Sequence, residues 1–200
     1  MPKYKPRAPR PRPAFERDDR GAGAVVVGRY RYSLSRWWRR VGPRIAWVML
    51  NPSTADAAQD DPTIRRVVGF SKAWGFTHVE VVNLFAYRTP SPARLWERRC
   101  DIVGPQNRDY LRAAIFAADR VMVAWGAAKD GRIAAQVDAV KAIVRPAGIL
   151  PQCLGTTQSG APRHPLYLAA DTKPVRWPEI TSPFRLASYP PPGVDSPPNL

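Results

Sequence analysis

Apolar and polar positions follow two alternating periods along the chain, and the switches between them outline an α/β domain. Residues 30–34 alternate and predict an edge strand. Residues 45–50 form a nearly continuous apolar run, the pattern of a strand covered on both faces, and end at the turn signal Asn51-Pro52-Ser53. Ile64, Val67, Val68 and Trp74 then recur at helical spacing. Asp60 or Asp61 is the expected cap of this helix, Pro62 stands in its first turn, and Gly75 is a natural stop. A second buried strand is expected at 79–84, a helix at 106–118, and a third strand at 121–125. Residues 132–144 make another amphipathic helix, closed by Pro146 and Gly148. A short strand near 152–154 leads into a segment, 155–165, rich in Gly, Thr, Ser and Pro.

Strands that alternate with helices require crossover connections. The expected fold is therefore α/β, a three-layer sandwich with a mainly parallel central sheet of about four strands. The ends read differently. Between residues 2 and 13 proline recurs every second or third position with Lys or Arg between, which removes backbone donors and favours an extended chain. The expected organisation is a disordered basic arm over 1–23, one domain over 24–180, and a disordered Pro-rich tail over 181–200 that carries Pro190-Pro191-Pro192.

Charge sharpens that division. The 200-residue chain has a formal net charge of +15, and +10 of it lies within residues 1–44. Residues 45–182 are only mildly basic. A basic arm attracts phosphates by counterion release, which points to nucleic acid as partner, DNA before RNA. Arginine outnumbers lysine 25 to 6, a bias that a GC-rich genome also produces. No apolar run reaches the roughly 20 residues of a membrane span, and the charged start lacks a signal-peptide core. A cytoplasmic protein without membrane partners, and a monomer, is expected. Cys100 and Cys153 with His78 and His164 are too few for a zinc cluster, so neither a metal nor a cofactor is expected.

Ligands on open α/β sheets bind beyond the carboxyl ends of the strands. Four polar loops fall there: Asn51-Pro52-Ser53, Asn83 followed by Tyr87 and Arg88, Trp125-Gly126, and Arg163-His164-Pro165. An Asn51 amide at the rim can orient a water or read a nucleobase edge, or satisfy its own turn. Ser53 and Thr54 can donate to a phosphate or cap a turn. Asn83 either ties two loops together or faces a ligand. Of Asp56, Asp60 and Asp61, one is expected to cap a helix, which leaves one or two as a general base. His164, in a loop of turn formers, can donate to a developing anion or contact phosphate. Trp125 can stack on a base or fill the core, and His78 is expected to be exposed and without a role. Walker, dinucleotide-fingerprint, nucleophile-elbow and paired-histidine metal motifs are all missing from the sequence.

Several strings resemble the bacterial and phage family DUF1643: LNPSTAD at 50–56, DPT at 61–63, VVNLFAYR at 81–88, AWG at 124–126 and LGTTQSGAPRHPLYL at 154–168. The likeness runs from about Tyr30 to Leu168 and implies a grouping without an activity. The order of an Asn-Pro turn, a strand-end Asn, a Trp-Gly and a late His-Pro also resembles the uracil-DNA glycosylase superfamily. That resemblance implies roles by position. Asn51 orients the attacking water, Asn83 reads the flipped base, and His164 stabilises the leaving base, so Asn51 and His164 are the catalytic candidates. Pro52 and Ser53 contact phosphate, with Trp125 and Arg163 as further binding candidates. Leu166 stands where the best-known glycosylases carry serine, and Ser53 where related mismatch glycosylases carry glycine. The function expected is a glycosylase-like domain that binds a nucleobase in nucleic acid and hydrolyses its N-glycosidic bond. The alternatives are a non-catalytic nucleic-acid-binding module and an enzyme acting on a free nucleotide or nucleoside.

Overall fold

The computed structural model describes residues 20–128 and 130–180. Seven strands form one sheet: β1 (Gly21–Val27), β2 (Tyr30–Trp37), β3 (Arg44–Met49), β4 (His78–Asn83), β5 (Arg120–Val123), β6 (Gln152–Cys153) and β7 (Val175–Arg176). The helices are α1 (Pro62–Ala73), α2 (Pro92–Trp96), α3 (Asn107–Ala117) and α4 (Arg132–Val144), with a 3-10 turn at Pro165–Tyr167. The strand order is β1-β2-β4-β3-β5-β6-β7.

The apolar runs read as strands are central because both their faces are covered. Ala46, Val48, Val82, Val121 and Val123 meet Leu111 and Ile115 of α3 and Val140 and Val144 of α4. The opposite face presents Ile45, Trp47, Met49, Val79, Val81 and Met122 to Ile64, Val67 and Phe70 of α1. Trp47 is fully buried, stacks on Trp74 at 5.8 Å, and donates its indole N–H to Ser71 Oγ at 3.1 Å. Truncating such a residue to alanine costs about 3–5 kcal/mol. Asp61 is the cap of α1, accepting from Ile64 N at 2.8 Å, and Gly75 follows its end at φ 84°. Helices cover both faces, so the molecule is α/β.

The sheet differs from the expected one in size and direction. It has seven strands instead of about four, and it is mixed instead of mainly parallel. β4, β3, β5 and β6 pair in parallel, whereas β1–β2, β2–β4 and β6–β7 are antiparallel. The reason is local. A hairpin of β1 and β2 docks along β4, which makes β1 the edge and β2 an interior strand. β1 reads GAGAVVV, without alternation, and begins at Gly21, before the residue 24 expected to open the domain. β7 has two residues, too few to carry a period. The rest of the expected arm and the expected tail lie outside the described residues. No helix among the described residues is long and apolar enough to cross a membrane.

One irregularity in the hairpin bears on function. Val25 pairs with Ser33 but Val26 pairs with Arg31, so Tyr32 is an extra residue in β2, a β-bulge. Tyr32 turns to α3, where its ring stacks on Tyr110 at 5.0 Å. The bulge shifts the alternation, so that Arg31 shares the α1 face with Leu34.

Candidate functional site at the carboxyl ends of the parallel strands

Four parallel strands end side by side, so the chain leaving each of them meets the others. A cavity of about 220 Å³ opens there, lined by Leu50 and Asn51 after β3, Asn83 at the end of β4, Trp125 after β5, and His164 from the loop after β6. Ser53, Asp61, Thr89 and Arg31 complete its polar wall, and Tyr167 stands at its rim with 85% of its surface exposed. The crevice thus brings together Asn51, Ser53, Asn83, Trp125 and His164 of the seven expected site residues. The other two lie outside it. Pro52 is buried with its carbonyl accepting from Thr89 N at 2.9 Å, and Arg163 is exposed with its N–H on Gly155 O at 3.0 Å.

Asn83 is 1% exposed, and its side-chain Nδ2 has no hydrogen-bond partner. Its backbone is held from behind. Asn107, also buried, donates Nδ2 to Asn83 O at 2.9 Å and to Leu84 O at 3.0 Å. Fixing the backbone while leaving the amide idle positions a donor without using it. Asn51 is engaged differently: its Nδ2 donates to Pro52 O at 3.0 Å and Thr89 O at 2.9 Å, leaving Oδ1 as its free acceptor.

His164 opens the 3-10 turn, and Leu166 N donates to its Nδ1 at 3.3 Å. A ring nitrogen that accepts is unprotonated, so the neutral imidazole carries its proton on Nε2. Burial pushes this histidine below its ordinary pKa, with Asp61 acting weakly in the other direction. The ring is therefore a neutral donor near pH 7. Its loop is fastened twice. Gly126 at φ 76° donates to Pro162 O at 2.9 Å, and a Cβ on it would lie 3.4 Å from His164 Cβ. Arg66 of α1 reaches across to donate to Leu168 O.

The acidic cluster is committed to structure. Asp56 accepts from Ala58 N and Gln59 N at 2.8 and 2.9 Å, bonds that hold its carboxyl below the usual range. Asp60 pairs with Arg36 at 2.7 Å. Asp61 caps α1 and lines the crevice. Among the described residues no group of three His, Cys, Asp or Glu is arranged to hold a metal ion.

Pattern reading misses Arg31 and Asn107. Arg31 lies in an alternating strand whose phase only the bulge reveals, and Asn107 lies in the helix expected at 106–118 with no pattern to mark it. Arg31 is 2% exposed, and burial pushes it down to about 10. A larger cavity, about 330 Å³, lies at the opposite strand ends near Arg44, His78 and Glu80. None of its lining residues carries an unpartnered buried polar atom, which makes the smaller crevice the stronger candidate.

The model of a family described as a protein of unknown function, DUF1643, matches residues 31–166. The chain belongs to the DUF1643 family. No curated protein and no solved structure matches it. The DUF1643 match opens on Arg31 and closes on Leu166, and every crevice residue except Tyr167 falls inside it.

Proposed function

We propose that the crevice of this DUF1643 protein receives a nucleobase from nucleic acid and hydrolyses its N-glycosidic bond. The observation that carries the reading is the buried, unpartnered Asn83 amide facing the same cavity as a neutral His164. An idle buried donor costs about 1–3 kcal/mol unless a ligand acceptor meets it. At about 220 Å³ the cavity is smaller than the roughly 300 Å³ at which drug-sized sites begin, so it suits one small ring. Trp125, 4% exposed and packed edge-to-face on Trp177, forms an apolar part of the lining, and the Asn83 amide reads carbonyl and N–H groups on a base edge.

The chemistry follows from the same groups. Cleavage of an N-glycosidic bond leaves electrons on the departing base, and a neutral His164 with Nε2–H stabilises them by donation. Asn51, through Oδ1, holds the water whose oxygen bonds to the sugar carbon as the bond to the base breaks, and the proton the water loses ends on the departed base, so no side chain changes charge over the cycle. The resemblance of the motif order to uracil-DNA glycosylases supports this assignment. The test is incubation with uracil-, hypoxanthine- and mismatch-containing oligonucleotides followed by alkali. Strand breaks that His164→Ala reduces by about 10²-fold or more are expected. Intact strands on every substrate would defeat the hydrolytic reading.

A second reading is favoured by one observation. Both bonds made by the Asn51 amide N–H groups go to backbone carbonyls, which suits a loop tie in a non-catalytic nucleic-acid-binding module. That module predicts binding that falls steeply with salt and survives both Asn51→Ala and His164→Ala.

A further inference from the structure

We propose that Arg31 makes the crevice a phosphate-binding site, so that the ligand carries a phosphate beside its base. The inference rests on the nucleobase reading for the second half of that ligand only. The β2 bulge turns Arg31 onto the crevice face, where the side chain is 2% exposed. Nη1 donates to Ala55 O at 2.6 Å, but Nε has no partner. A buried guanidinium is normally matched by a carboxylate, because an unmatched charge in a low-dielectric site is expensive. Among the described residues no carboxylate pairs with Arg31.

The acids around it hydrogen-bond elsewhere and act on it only through their field. Asp56 holds two backbone N–H groups, Asp60 holds Arg36, and Asp61 holds the first turn of α1. Of the charges that act on Arg31, Asp61 is the strongest and favours its charged form, as Asp56 does more weakly, while Arg88 and Arg36 oppose it. Hydroxyls of Ser53 and Thr63, from two different elements, line the same cavity. A guanidinium and two hydroxyls drawn from separate elements onto one cavity suit a tetrahedral oxyanion, which offers acceptors all round, better than a planar carboxylate, which offers one edge. The guanidinium supplies the charge and the hydroxyls the orientation.

Calorimetry with the full chain tests this, using the four deoxynucleosides, their 5′-monophosphates and inorganic phosphate as probes. The monophosphates are expected to bind at least about tenfold more tightly than the matching nucleosides. Inorganic phosphate is expected to bind weakly and to compete with them. Arg31→Gln should erase the phosphate advantage, read as the ratio of monophosphate to nucleoside affinity, while Arg31→Lys should retain part of it. Equal affinity of nucleosides and monophosphates for the unmodified chain overturns the proposal whether or not the variants fold, and leaves the nucleobase reading standing. Arg31-dependent phosphate binding without nucleoside binding defeats the nucleobase reading and upholds this one. A phosphate advantage that persists in Arg31→Gln also overturns it.

Discussion

Replacing Asn83 with leucine separates a side chain kept for a ligand from one kept for the fold. The amide is 1% exposed, and its Nδ2 finds no acceptor in the folded chain. Desolvating such a donor costs about 1–3 kcal/mol. Leucine is the larger side chain, and overpacking in a tight core costs about 1–3 kcal/mol. Here the added volume has somewhere to go, because a cavity of about 220 Å³ adjoins the residue. The hydrogen bonds from the Asn107 side chain end on main-chain carbonyls, not on the Asn83 side chain, and survive the change. Asn83→Leu should therefore raise the unfolding free energy by about 1–3 kcal/mol, or on the order of 5 °C in Tm for a domain of this size. Urea denaturation of both chains at pH 7 measures it. Nucleobase and nucleotide binding should disappear from the same, more stable variant. A loss of about 1 kcal/mol or more would refute the reasoning, since it would mean the amide stabilises the fold.

Three further perturbations probe the supports of the site. Asn107→Ala removes two donors to the buried Asn83 and Leu84 carbonyls and should cost about 2–4 kcal/mol in urea denaturation, with binding weakened through displacement of Asn83. Gly126→Ala puts a side chain at φ 76° against His164 and should cost about 1–2 kcal/mol, with changed His164 ring resonances in NMR spectra; an unperturbed ring would count against the packing described. His164 has its folded pKa below the unfolded value, so the unfolded chain binds the proton more tightly. Its stabilisation is complete above about pH 6.5 and is lost as pH falls from there through the folded pKa. Thermal melts between pH 7.5 and 5 should show a shallower decline for His164→Gln than for the parent chain. His78 is shifted in the same direction, also by burial, so His78→Gln serves as the comparison.

The buried centre of the fold was legible because its strands are apolar without interruption and its helices are punctuated. Residues 45–50 and 79–84 announced β3 and β4, and Asp61-Pro62 with Gly75 bracketed α1. The hairpin was not legible. β1 is half glycine and alanine, so it carries no period, and its pairing with β2 depends on a bulge that shifts the phase at Tyr32. The same bulge hid Arg31, which lies in the segment 30–34 expected as an edge strand and is buried in an interior one. The convergence of Asn51, Asn83, Trp125 and His164 could be anticipated, because parallel strands must end on one side. Which amide is free could not. Asn51 and Asn83 both follow strands, yet the first spends its donors on Pro52 and Thr89 while the second keeps one unused, a difference set by backbone contacts distant in sequence. Asp60 and Asp61 show the same limit: adjacent and chemically alike, one pairs with Arg36 and the other caps a helix.

Titration of the nitrogen-15-labelled chain with short single-stranded DNA, read at the Asn83 side-chain amide and the Trp125 indole, tests base binding in the crevice most directly. Nucleobase entry predicts that both signals move together and saturate, with the Asn83 amide shifting as its idle donor gains an acceptor. Shifts confined to other parts of the chain, with Asn83 and Trp125 unmoved at saturation, would contradict it.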